Sequence, residues 1–140
     1  MLHYFFVGME QVFSYNIFII STILIGFMLS VIIFRRWTIT HQSGGSYFSS
    51  FKITDDYFYI HSGMVPGNRR FSLSDINNVI IHLIRGRGGN GDRFHIELDL
   101  KHRRNKAFFV GKSSRTVKEI EEMKTLLKKN KINVNYYDYT

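Results

Sequence analysis

Three short stretches of the 140-residue chain contain residue types that could do chemistry. His95, Glu97 and Asp99 alternate with Phe94, Ile96, Leu98 and Leu100. Residues two apart on a strand share a face, so an imidazole and two carboxylates would stand side by side, the donor types that hold zinc or move protons. A solvated polar face opposite a buried one shows the same alternation and needs no ion, so no metal or catalytic role is assigned to it. Gly86-Arg87-Gly88-Gly89-Asn90-Gly91 has the composition of a phosphate-cradling loop. Such a cradle needs backbone N–H groups aimed at the ligand and a helix N-terminus behind them. Both flanks here read as strands, so a hairpin loop is expected. Gly111-Lys112-Ser113 looks like the end of a P-loop, but the place of that motif's first glycine is taken by Lys106. It reads as a turn followed by a helix cap.

The basic residues form the broader signal. Arg85, Arg87 and Arg93 flank the glycine-rich loop, and Arg103, Arg104 and Lys106 occupy the next turn. Both groups are candidates for binding an anion or an acidic partner. All 19 Lys and Arg lie at or after Arg35, with ten of the 11 acidic residues, so that part of the chain carries a net +9. Such a surface favours anionic lipid, nucleic acid or acidic protein. With no cysteine, disulfides and thiolate chemistry are excluded. There is no G-x-S-x-G or zincin motif, so neither an enzyme nor a cofactor is expected.

What must position these residues begins with an anchor. No charge occurs between Glu10 and Arg35, and Phe13 to Phe34 contains fourteen Phe, Ile, Leu or Val. A helix of that length covers roughly 33 Å, enough for a hydrocarbon core of about 30 Å. One transmembrane helix is therefore expected over 13–34, with residues 1–12 outside. No Lys or Arg precedes the apolar run, which argues against a signal peptide. Arg35 and Arg36 follow the run directly and place the C-terminal domain in the cytoplasm, with Trp37 at headgroup level. Thr22, Gly26 and Ser30 recur at four-residue spacing, a small-xxx-small face through which two copies could associate as a homo-oligomer.

Residues 35–46 read as a juxtamembrane linker, small and polar from His41 to Ser46. Strand signals follow. Phe51 and Ile53 alternate with polar residues, Thr54-Asp55-Asp56 can turn, and Tyr57 to His61 can return as a hairpin. Arg69 to Leu73 alternates, Ile76 to Ile84 is a long β-branched segment, and Ala107–Val110 pairs with the strand that carries His95. Thr116 and Glu119 make a T-x-x-E capping box ahead of an apolar stripe of Val117, Ile120, Met123, Leu126 and Leu127. Residues 131–140 form a tail or a last short strand. The fold class is α+β: an antiparallel, strongly bent sheet or open barrel over 47–130, capped by a C-terminal helix.

Phe51-Lys52-Ile53-Thr54-Asp55-Asp56-Tyr57-Phe58-Tyr59-Ile60 resembles the opening hairpin of bacterial pleckstrin-homology-like domains. Arg70-Phe71-Ser72-Leu73-Ser74-Asp75-Ile76-Asn77-Asn78-Val79 is similar to their next strand, and the likeness covers about residues 48–130. The single span departs from relatives that often carry a helical hairpin. The acidic first turn departs from the Lys/Arg cluster of phosphoinositide-binding relatives, which puts the usual inositide pocket in doubt. The resemblance implies a scaffold or interaction role. Taken together, the expected function is a membrane-tethered, non-enzymatic module presenting a basic domain to a membrane or cytoplasmic protein partner. Sensing of anionic lipid or a small anion is the first alternative, and nucleic-acid binding in a DNA-transfer or secretion complex the second.

Overall fold

The computed structural model describes residues 3–4, 7–8, 15–88 and 91–140. Most of the expected outer segment 1–12, the first two residues of the expected span, and Gly89-Asn90 lie outside the described residues.

Helix α1 runs from Tyr15–Ser43. From Ile17 to Phe34 every large apolar side chain except Ile32 is exposed, so this half of the helix joins no core among the described residues. The helix does not stop at Phe34. Arg35 to Ser43 contains no Pro or Gly to break it, and Ile39, Thr40 and Ser43 are buried against the domain. It ends where Gly44 turns the backbone to φ +63°, with the Gly44 N–H returning to the His41 carbonyl. The expected linker over 35–46 is thus mostly helix. Tertiary packing overrides its polar composition.

Among the described residues seven strands follow in two sheets. β1 (Phe51–Ile53), β2 (Tyr57–Ile60) and β3 (Arg70–Ser72) form an antiparallel meander. A single 3-10 turn, Leu73–Asp75, passes the chain into the second sheet, built from β4 (Ile76–Ile84), β5 (Arg93–Leu100), β6 (Lys106–Gly111) and β7 (Asn133–Tyr139) in the order β6-β5-β4-β7. β7 pairs parallel to β4, from Asn78↔Asn133 to Ile84↔Tyr139, so the second sheet is mixed rather than antiparallel. Helix α2 (Ser114–Lys129) is the cause: it returns the chain to the starting end of the sheet, so the next strand must run with β4.

Alternation sorts the side chains as expected. Phe94, Ile96, Leu98 and Leu100 are buried, with Val79, Ile81 and Leu83 from β4 and Phe108 and Val110 from β6. The first sheet adds Phe51, Ile53, Phe58, Ile60 and Phe71, and all belong to one cluster. α2 covers it with Ile120, Met123 and Leu127, while Val117 and Leu126 of the expected stripe stay partly exposed at 38% and 36%. The N-cap lies three residues earlier than expected, and the T-x-x-E capping box does not form. Ser113 is the N-cap, its hydroxyl accepting from the Thr116 N–H at 3.1 Å, and Glu119 binds Arg115 and Ser49 instead. At the other end the Ile132 N–H bonds the Leu127 carbonyl and the Lys131 N–H bonds that of Lys128, with Lys131 at φ 59°. This is a Schellman cap with lysine where glycine is usual.

Candidate functional site

The junction between α1 and the domain is held by cations and one histidine. Arg36 donates from Nε and Nη2 to the Tyr47 carbonyl at 3.0 and 2.8 Å, and its guanidinium lies over the Tyr47 ring. Arg35 donates to the Val65 carbonyl at 3.1 Å, and Arg69 donates back to the Arg35 carbonyl at 2.7 Å. Burial, and after it the like charge of Arg35, lowers the Arg69 pKa. Arg35 and Arg36, expected as juxtamembrane residues that orient the chain, fasten the domain to the helix. Trp37 remains 54% exposed, stacked on Phe34.

His61 is fully buried at this junction. Its Nδ1 lies 2.9 Å from the Ser49 carbonyl, which can only accept, so Nδ1 carries the proton and Nε2 faces Ser43 Oγ at 2.8 Å. Burial lowers its pKa below the ordinary 6.5, outweighing the Ser49 bond that raises it. Nothing in the local sequence around His61 marks it. A lone histidine at the end of a strand becomes visible only when the helix is placed against it.

The two basic groups are separated. Ile84 pairs with Arg93 at one end of the β4–β5 ladder and Ile76 with Leu100 at the other, so the Arg85, Arg87, Arg93 group lies at the opposite end from the turn that holds Arg103 and Arg104. Seven residue steps separate these ends, about 24 Å at roughly 3.4 Å per residue. The first group rings the β4–β5 loop, and Arg93 lies over the Phe109 ring. Of the second group, Arg103 opens onto a cleft of about 330 Å³ between the two sheets, lined also by Tyr57, Asn68, Arg70, Asp75 and His102 among others. The Arg70 guanidinium lies 3.9 Å from the Tyr57 ring centroid, a cation–π pair at the wall of the cleft. Lys106 turns away from Arg103 to donate to the Pro66 carbonyl at 3.0 Å. The sequence missed Arg70 and His102 as cleft residues, because the cleft joins β3 to a turn some thirty positions further along the chain.

His95, Glu97 and Asp99 do share the outer face of β5, but each has another partner. Glu97 accepts from Asn105 at 3.0 Å, Asp99 accepts from Asn77 at 3.0 Å, and His95 stacks between His82 and Phe109. Cross-strand register lines up Phe109, His95, His82 and Tyr137 as a single row of rings over all four strands. Among the described residues no group of three His, Asp or Glu side chains has the geometry to hold a metal ion.

Thr22, Gly26 and Ser30 fall on one exposed face of α1. The hydroxyls of Thr22 and Ser30 donate to the Phe18 and Gly26 carbonyls, both at 2.8 Å, so the face is smooth and internally satisfied. Gly111-Lys112-Ser113 forms the β6–α2 connection, where Lys112 lies 3.5 Å from Asp92 and Ser113 caps the helix.

No family model, curated protein or solved structure matches the chain. The described residues contain one helix long and apolar enough to cross a membrane, and it lies near the N-terminus.

Proposed function

We propose that the protein is a membrane-tethered, non-enzymatic binding module that presents its basic α+β domain to a protein partner at the cytoplasmic face. The observation that carries this reading is the division of α1. Its apolar half leaves nearly all its large side chains exposed, while its polar half, from Arg35 to Ser43, is docked on the domain without a break. An all-round apolar helix of this length is unstable in water and stable in a bilayer. The positive charge confined to one end sets the orientation.

Two facing sheets covered by a C-terminal helix support the pleckstrin-homology-like reading, with β7 as an addition to that plan. The test is expression of the full chain with a C-terminal tag, followed by alkaline extraction and protease treatment of intact cells. Retention in the membrane pellet with a protected tag is the expected result. Release by alkali, or digestion of the tag from outside, overturns the reading. Cross-linking in native membranes that captures no protein partner counts against the binding role.

A second reading, an anion sensor, is favoured by the cleft of Arg70, His102 and Arg103. Its ligand is a phosphate or phosphate ester, matched to the two guanidinium groups that line the cleft. Titration of the full chain in neutral detergent with inorganic phosphate and glycerol phosphate tests it. Binding that weakens with salt is expected, and no binding at low salt sinks it.

A further inference from the structure

We infer that the domain is seated in the membrane surface by the loop Ser62 to Gly67, with Met64 as the side chain that enters lipid. The inference rests on the proposal that α1 spans a bilayer, and goes beyond it by fixing how the domain lies on that bilayer. Four contacts set the register of the domain along the helix. Ser43 meets His61, Arg36 meets Tyr47 and Ser49, Arg35 meets Val65 and Gly67, and Ile32 meets Gly63. The loop is therefore the part of the domain that reaches furthest toward the apolar half of α1. At Gly63 the approach is so close that a Cβ would lie 2.9 Å from Ile32 Cγ2 and collide with the Ile32 carbonyl oxygen.

Ile32 lies two residues before Phe34, about 3 Å deeper along a helix that rises roughly 1.5 Å per residue. A loop packed on its backbone sits at the edge of the hydrocarbon. Irregular backbone at that depth is tolerated only when its polar groups find partners, because lipid offers none. Four of the loop's six carbonyls have cationic donors. Ser62 accepts from Arg69 at 3.2 Å, Val65 and Gly67 from Arg35 at 3.1 and 3.5 Å, and Pro66 from Lys106 at 3.0 Å. Pro66 has no N–H to satisfy. A loop surrounded by water would need none of these three cations, since water serves a carbonyl equally well.

Gly63 and Val65 turn inward and are buried, while Met64 between them is 76% exposed. A flexible, polarizable thioether on the rim of an apolar helix suits the disordered boundary between headgroups and chains. The heads of Arg35 and Lys106, bound to the carbonyls of the next two residues Val65 and Pro66, sit at the level of anionic headgroups. The occupant of this surface is the bilayer that holds α1, continuous with it at Ile32.

The chain has no cysteine, so single-cysteine labelling of the full protein is clean. Met64→Cys, Leu24→Cys and Arg87→Cys are each labelled with a polarity-sensitive fluorophore and reconstituted into vesicles of mixed neutral and anionic phospholipid. The Met64→Cys probe is expected to shift to the blue, to be quenched by a shallow lipid-borne quencher, and to lose most of the iodide quenching seen at Arg87→Cys. If it behaves like Arg87→Cys while Leu24→Cys is quenched by a deep lipid quencher, the helix spans but the loop is not seated, and the inference fails alone. If Leu24→Cys is open to iodide, the membrane span fails and this inference with it.

Discussion

Ser43 Oγ and His61 Nε2 lie 2.8 Å apart, joining the last residue of α1 to the residue that follows β2. The contact is buried and its imidazole is held neutral, so the junction is sensitive to protons. Burial depresses the folded pKa of His61 below 6.5, whereas in the unfolded chain it titrates near that value. As pH falls through about 6.5 the unfolded state takes up a proton that the folded state refuses, and stability is lost until the folded pKa is reached. Thermal unfolding of the full chain in detergent should therefore show a falling Tm from pH 7 to 5. His61→Gln should flatten that slope while lowering stability at pH 7 by about 1–3 kcal/mol through the lost Ser49 bond. An unchanged slope in the variant would assign the pH dependence to other groups.

Gly63→Ala should destabilise the junction, because neither the Ile32 backbone nor its methyl group can give way cheaply. Overpacking of this kind costs about 1–3 kcal/mol. Gly26→Ala, at a position with nothing within 4 Å, should leave monomer stability unharmed. Comparing the two melting curves in detergent checks both. Equal Tm values would mean that the helix and loop do not touch in solution.

The caps of α2 predict changes of opposite sign. Ser113→Ala removes the hydroxyl that serves the Thr116 N–H and should cost about 1 kcal/mol. Lys131→Gly relieves a left-handed lysine at φ 59° and should stabilise by roughly 1 kcal/mol. Denaturant titration reads both directly, and a Ser113→Ala variant as stable as the parent would move the cap back to Thr116.

For the cleft, Arg70→Gln and Arg103→Gln should each weaken phosphate-ester binding about tenfold, the loss expected for one charge-assisted hydrogen bond. Arg85→Gln should change it little, being at the other end of the ladder. Calorimetric titration with glycerol phosphate distinguishes them. A larger effect from Arg85 would place the anion in the glycine-rich loop.

How far the sequence could be read depends on the range over which each feature is decided. The apolar run of α1, the alternation of Arg93 to Leu100 and the helical stripe ending at Leu127 were legible because burial repeats with a local period. The strand pairs Phe51↔Ile60 and Val79↔Leu98 follow from short connections. The parallel β4–β7 pair was not legible. It joins residues some fifty positions apart, and Asn133 to Tyr139 shows little burial contrast to declare its face.

The sequence by itself determined the division of the chain into an apolar helix and a basic α+β domain, since composition and period act residue by residue. Only the tertiary structure decided that the expected linker is helix, because Ile39, Thr40 and Ser43 are ordered by what they pack against. It also parted the six basic loop residues, sending Lys106 to the Pro66 carbonyl and leaving Arg103 to share a cleft with Arg70. Charge is written in the sequence, but the partner that each charge meets is set by register and sheet order.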